Sequence, residues 1–173
     1  TAEITAMRKS MSAEQVRAAS DTARARTKAG KKLDTDFARR LISDIQGIEM
    51  ASSAISSLYK ANRFASVLGD GATIADLCCG IGGDSWGLGK AGLIPVGVDS
   101  NAIRAWMYTH NTNFDVVHGD ALKDCPPDIA GFHLDPARRT DLGKRTLDVE
   151  DFLPGPDVWK ELIARFPAGA IKL

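Results

Sequence analysis

The chain has 173 residues, 44% of them hydrophobic and 25% charged, with 22 Lys and Arg balanced by 22 Asp and Glu. This is globular composition. It excludes disorder over most of the length, a collagen-like repeat, and a run of the roughly 20 apolar residues that a membrane helix needs. The zero net charge hides an asymmetry: residues 1–65 carry 12 basic and 7 acidic side chains, residues 66–173 carry 10 and 15. A basic front half can support binding to a polyanion.

In chain order, Ser12 with Gln15 three residues on is a capping-box pattern, and it predicts an Ala-rich, thinly packed helix over 13–29 that ends at Gly30. Asp34 or Thr35 caps a second helix carrying Phe37, Leu41, Ile42, Ile45 and Ile48 on one face, interrupted at Gly47. Met50, Ala51, Ala54, Ile55, Leu58 and Tyr59 form a further apolar stripe with serines opposite, and Gly69-Asp70-Gly71 is a turn. The texture then changes. Strands are predicted at 72–77, 93–98, 114–117, 129–134 and 168–173, with helices at 84–91, 101–110 and 158–166. That alternation predicts an α/β fold with a mostly parallel sheet behind a helical N-terminal region. Residues 138–156 show no period and read as a long loop, of a length that is often functional.

The smaller signals are mostly structural. Residues 1–10 lack the apolar stretch of a signal peptide. Cys78, Cys79 and Cys125 form neither a zinc spacing nor an even disulfide set, and they read as small packing residues of a reduced cytoplasmic protein. His110, His118 and His133 have no metal spacing, so no metal is expected. Trp86, Trp106 and Trp159 fall in predicted helices and read as core.

The chemistry-bearing signal is a set of acids at successive strand ends. Asp76 opens the segment Asp-Leu-Cys-Cys-Gly-Ile-Gly-Gly-Asp that runs to Asp84. In it Gly80, Gly82 and Gly83 make a tight turn into a helix, where backbone can approach a ligand and free N–H groups are available. Asp99 closes the next strand, about 19 residues after Gly80, where a carboxylate can accept from both hydroxyls of a ribose. Asp120 follows the third strand and could accept from an adenine amino group. Asp135 ends the fourth, in Phe132-His-Leu-Asp-Pro-Ala-Arg-Arg139. Open α/β sheets bind ligands outside the carboxyl ends of their strands, so all four acids point to one crevice.

This order resembles the class I S-adenosylmethionine-dependent methyltransferases, with a Rossmann-like core over 69–173 behind a helical region over 1–68. The first motif is similar to that of the trimethylguanosine synthase (RNA cap guanine-N2 methyltransferase) branch, which also fills the first glycine position with another residue. The whole chain resembles bacterial methyltransferases with a THUMP-like C-terminal domain, which share a segment like Gly47-Ile-Glu-Met-Ala-Ser-Ser and the Asp-Pro-Ala-Arg-Arg motif. The C-terminal strands and THUMP-like domain of that family are expected to be missing here, which would leave the fifth strand an exposed edge prone to self-association.

The resemblance implies S-adenosylmethionine as cofactor and RNA as substrate. Asp76, Gly80 and Gly82, with Cys78 in the same turn, would hold the methionine moiety. Asp99 and Ser100 would hold the ribose, and Asp120 with Ala121 would face the adenine. Asp135 and Pro136 would line the methyl-transfer end. Ala137 and Arg138 replace the Pro and aromatic usual in amino-methyltransferases, so Arg138 and Arg139 suit a phosphate or carboxylate of the substrate. Two rival readings exist. An NAD-dependent oxidoreductase fits Gly80-x-Gly82 with Asp99, but it leaves Ser85 at a glycine position and Asp135-Pro136 unexplained. The other is a non-catalytic RNA-binding module on the same fold.

Overall fold

The computed structural model describes residues 2–138 and 146–173. Five helices come first: α1 (Ala2–Met7), α2 (Ala13–Ala29), α3 (Thr35–Arg40), α4 (Ile45–Met50) and α5 (Ala54–Leu68). Then come β1 (Thr73–Leu77), α6 (Gly83–Lys90), β2 (Ile94–Asp99), α7 (Ala102–Thr112), β3 (Val116–His118), β4 (Gly131–Leu134), α8 (Pro156–Arg165) and β5 (Gly169–Ile171). The sheet order is β3-β2-β1-β4-β5, and every pair is parallel. The α/β expectation holds.

Side-chain alternation along β1 divides the core. Ala75 and Leu77 pack with Phe132, Leu134, Leu162 and Phe166 on the α8 side. Ile74 packs with Ala61, Phe64, Leu88 and Leu93 on the α5–α6 side. A strand buried on both faces reads as a nearly continuous apolar run, which is why β1 and β4 were legible. A third cluster, Ala25, Ala29, Phe37, Leu41, Ile48 and Ile81, joins the N-terminal helices to the start of α6. Buried Asn111 of α7 fastens the same joint. Its Oδ1 accepts from the Ile42 N–H at 2.8 Å, and its Nδ2 donates to the Ile42 and Ile81 carbonyls at 3.0 Å.

The N-terminal region departs from expectation in three ways. The helix predicted to run through Ile48 is two helices, broken where Leu41 turns extended and Asp44 caps α4 by accepting from the Gly47 N–H at 2.7 Å. Gly47 is therefore no interruption. It lies within α4, where a Cβ would meet Arg104 and Ile81. The stripe on α5 is inverted: Ile55 and Tyr59 are 84% and 63% exposed, and Ser57 is buried. The cause is close helix packing. At Gly87 of α6 a Cβ would strike Ser57, whose backbone carbon lies 2.8 Å away, and Ser57 Oγ donates to the Gly83 carbonyl at 2.9 Å. Small residues face inward because two backbones meet there, and the larger apolar ones are left outside.

Two other expectations change. Trp106 is not core: it is 51% exposed and stacks on His110 at 4.2 Å between ring centroids. The segment 146–156 is not featureless, since a 3-10 turn at Val149–Asp151 leads into an antiparallel bridge between Ala137 and Leu153. Among the described residues no helix is long and apolar enough to cross a membrane.

Replacing Gly87 with Ala should cost about 1–3 kcal/mol, the usual range for overpacking, because helix backbone cannot yield as a side chain can. Urea denaturation of Gly87→Ala checks this; an unchanged midpoint would mean that α5 and α6 do not meet so closely.

Candidate functional site

Register brings the predicted acids to one edge of the sheet. Asp76 lies opposite Gly97 of β2 and His133 of β4, Asp99 is the last residue of β2, and Asp135 follows β4 directly. Between β1 and α6 the chain coils through three positive-φ residues, Cys78 at 60°, Gly80 at 56° and Gly82 at 88°. At Gly82 a Cβ would also run into Thr112 of α7, so glycine is required there twice over. Cys78 tolerates the left-handed geometry at a cost of about 1–2 kcal/mol. The space before Gly80 is open: a Cβ built there meets nothing within 4 Å.

Asp99 braces this turn. Its Oδ2 accepts from the Gly80 N–H at 2.8 Å and its Oδ1 from the Asn101 N–H at 2.9 Å, and it remains partly open to solvent. Ser100 beside it is exposed, and its carbonyl lies 3.2 Å from His118 Nε2. Asp120 is exposed; hydrogen bonds from the Lys123 and Leu122 amides hold its carboxyl below the ordinary value. Ala121 is buried in the core next to it. Asp135 is half-buried and pairs with Lys172 Nζ at 2.6 Å, with Pro136 buried behind it. Arg138 is half-buried, and its carbonyl accepts from the Thr146 N–H at 3.2 Å. Arg139 lies outside the described residues. The acids converge on Cys78. Burial first, then the charges of Asp99, Asp135, Asp76 and Asp120, push its thiol up to about 12.

Asp76 differs from the other three. It is 1% exposed, and both oxygens are taken by protein donors. Ser85 Oγ donates to Oδ2 at 2.7 Å, and His133 Nδ1 lies 2.9 Å from Oδ1. The contacts continue inward. His133 Nε2 is 2.9 Å from Lys60 Nζ of α5, and Lys60 pairs with Asp84 Oδ1 at 2.6 Å. Lys60 donates to Ser52 Oγ at 3.2 Å, and Ser52 donates to Asp84 Oδ2 at 2.8 Å. Lys172 Nζ also reaches Ser52 Oγ, at 3.3 Å, and so closes a path to Asp135. Burial pushes the Asp84 carboxyl up; its neighbours, the charge of Lys60 and hydrogen bonds from Lys60 and Ser52 among them, more than offset this and leave it below its ordinary value.

Sequence reasoning missed Lys60, Ser52, Asp84, His133 and Lys172 as parts of the site. A histidine inside an apolar strand was a usable signal for His133, since such a group must find partners when buried. Among the described residues no cluster of His, Cys, Asp or Glu could hold a metal ion.

No family model and no curated protein matches this chain. Among solved structures it is similar to a "putative methyltransferase" from Porphyromonas gingivalis W83, with a TM-score of 0.73, 21% identity and 95% of this chain covered. The chain spans 42% of the length of that protein. It is also similar to a SAM-dependent methyltransferase from Agrobacterium tumefaciens, with a TM-score of 0.45, 17% identity, and 62% of this chain and 40% of that one covered. The parallel sheet with helices around it is consistent with a Rossmann-like fold, and the first likeness shows that the two proteins share a fold.

With its pKa raised from 9.0 to about 12, Cys78 should hold about 1,000-fold less thiolate at pH 8 than an ordinary cysteine. Cys79 and Cys125 are raised too. The folded protein should therefore resist a thiol reagent at pH 8 and react at all three cysteines in denaturant. Fast labelling of the folded state would contradict the burial described.

Proposed function

We propose that the chain is the donor-binding part of an S-adenosylmethionine-dependent methyltransferase acting on RNA, with a guanine amino group as the acceptor. One observation carries this reading: acids at four successive strand ends gather around an open glycine turn, at the carboxyl edge of a parallel sheet ordered 3-2-1-4-5. The donor fits the residues present. The open space before Gly80 accepts a ligand at close range, and Asp99 keeps lone pairs for two hydroxyls beyond its two amide bonds.

In this reading residues 69–173 bind the donor and residues 1–68 form a helical cap. Gly80 and Gly82 let backbone approach the methionine end, with Cys78 supplying an uncharged wall. Asp99 and Ser100 hold the ribose, and Asp120 with Ala121 faces the adenine. When bound, the donor supplies a methyl group already activated by its sulfonium, so the protein's task is mainly alignment. Asp135 and Pro136 orient the acceptor amine, and Asp135, paired with Lys172, takes its proton. Arg138 and Arg139 hold a phosphate of the RNA. The RNA acceptor is supported by the excess of basic side chains over 1–65 and by the motif resemblance; the likeness to the Porphyromonas gingivalis methyltransferase supports methyl transfer.

Calorimetric titration with S-adenosylmethionine and S-adenosylhomocysteine, with NAD as control, tests the reading. The first two should bind and NAD should not. Asp99→Ala should weaken both by about 1–3 kcal/mol, or about 5- to 150-fold, through loss of charge-assisted hydrogen bonds. Preference for NAD would favour an oxidoreductase, and donor binding without transfer to any RNA would favour a binding module.

A further inference from the structure

With Lys60 as an ammonium, the buried polar chain beneath the glycine turn has one arrangement of protons that satisfies its geometry. Lys60 Nζ can only donate when charged, and it lies 2.9 Å from His133 Nε2. Nε2 must therefore accept, which leaves the ring proton on Nδ1, 2.9 Å from Asp76 Oδ1. A ring protonated on both nitrogens would set two donors face to face; the pull on Asp84 then comes from Lys60 and Ser52. Lys60 is 17% exposed, Asp84 10% and His133 1% at the side chain, so water does not substitute for these contacts. Asp76 in turn receives Ser85 Oγ from the first turn of α6, and Ser85 Oγ also lies 2.8 Å from Tyr108 Oη of α7. One carboxylate thus ties the end of β1 to α6, the two elements between which the turn at 78–82 is strung.

We infer that Lys60 and His133 are positioning residues for that turn: Lys60, from the N-terminal helices, fixes the Nδ1–H tautomer of His133, which holds Asp76 and with it the spacing of β1 and α6 around the donor pocket. This rests on the donor reading above, but its first test does not. Nitrogen NMR of uniformly labelled wild-type protein reports the tautomer directly. A His133 ring protonated on Nδ1 and hydrogen-bonded at Nε2 is expected, and a ring protonated on Nε2 would overturn the assignment.

The second test is Lys60→Met, which keeps length and removes the donor. The fold should persist by circular dichroism, the His133 tautomer should change, and affinity for S-adenosylhomocysteine should fall about tenfold. A folded Lys60→Met protein with an altered tautomer but unchanged affinity would overturn the link to the pocket. If Lys60→Met does not fold, His133→Asn and His133→Leu decide it. Asn can still donate to Asp76 and should retain affinity that Leu loses, whereas equal affinities would overturn the inference. Failure of the wild-type protein to bind S-adenosylhomocysteine would count against the donor reading itself and leave the tautomer result standing on its own.

Discussion

The contact between Lys60 and the buried Asp84–His133–Asp76 set constrains the rest of the molecule. A charge taken out of water is tolerated only with partners in place, and removing one partner commonly costs about 3–5 kcal/mol. Those partners come from α5, α6, β4 and β1, so the helices can occupy only positions that bring them together. The close approach of α5 to α6 follows. It brings Ser52 and Ser57 to the buried face and requires glycine at 87, and it turns Ile55 and Tyr59 outward. What reads as an inverted amphipathic helix is the geometric consequence of burying a lysine.

The carboxyl edge of the sheet follows another rule. Parallel strands aim their terminal residues into one crevice, and here Asp76, Asp99, Asp120 and Asp135 lie at or next to those strand ends. Each acid is stabilised differently. Asp99 accepts two backbone amides, Asp120 accepts those of the turn after it, Asp135 has Lys172, and Asp76 is sealed beneath the turn by His133 and Ser85. This division of partners separates Asp76, closed off beneath the turn, from Asp99, Asp120 and Asp135, which keep some exposure. Cys78, among all four, is kept a neutral thiol by its burial first and by the same field second.

The sheet was legible because buried parallel strands are short apolar runs punctuated by glycine, and because the acids recur at strand ends. The crevice followed from topology alone. The buried network did not, since it depends on register: His133 is opposite Asp76 only because β4 lies beside β1, and sequence offers no way to align residues 57 positions apart. The apolar stripe of α5 misled for a related reason. Hydrophobic periodicity finds the buried face when side chains fill the space between elements, and it fails where Ser57 meets Gly87 with no room for larger ones. The break before α4 escaped because Asp44 is both the cap of α4 and the partner of Arg104 at 3.0 Å, and the second role is a tertiary one.

The basic excess of the first 65 residues is partly explained by the same interior. Lys60 is committed to the buried set, Lys32 donates to the last carbonyls of α4, and Arg26 donates to the Leu41 carbonyl. Lys28 pairs with Glu49. These cations hold helices in place and are not available to a polyanion. Arg8, Lys9, Arg17, Arg24, Lys31, Arg39, Arg40 and Arg63 remain exposed, spread over α2, α3, α5 and the turns between helices. Together they make a diffuse positive field, of a kind that steers a polyanion without selecting a sequence.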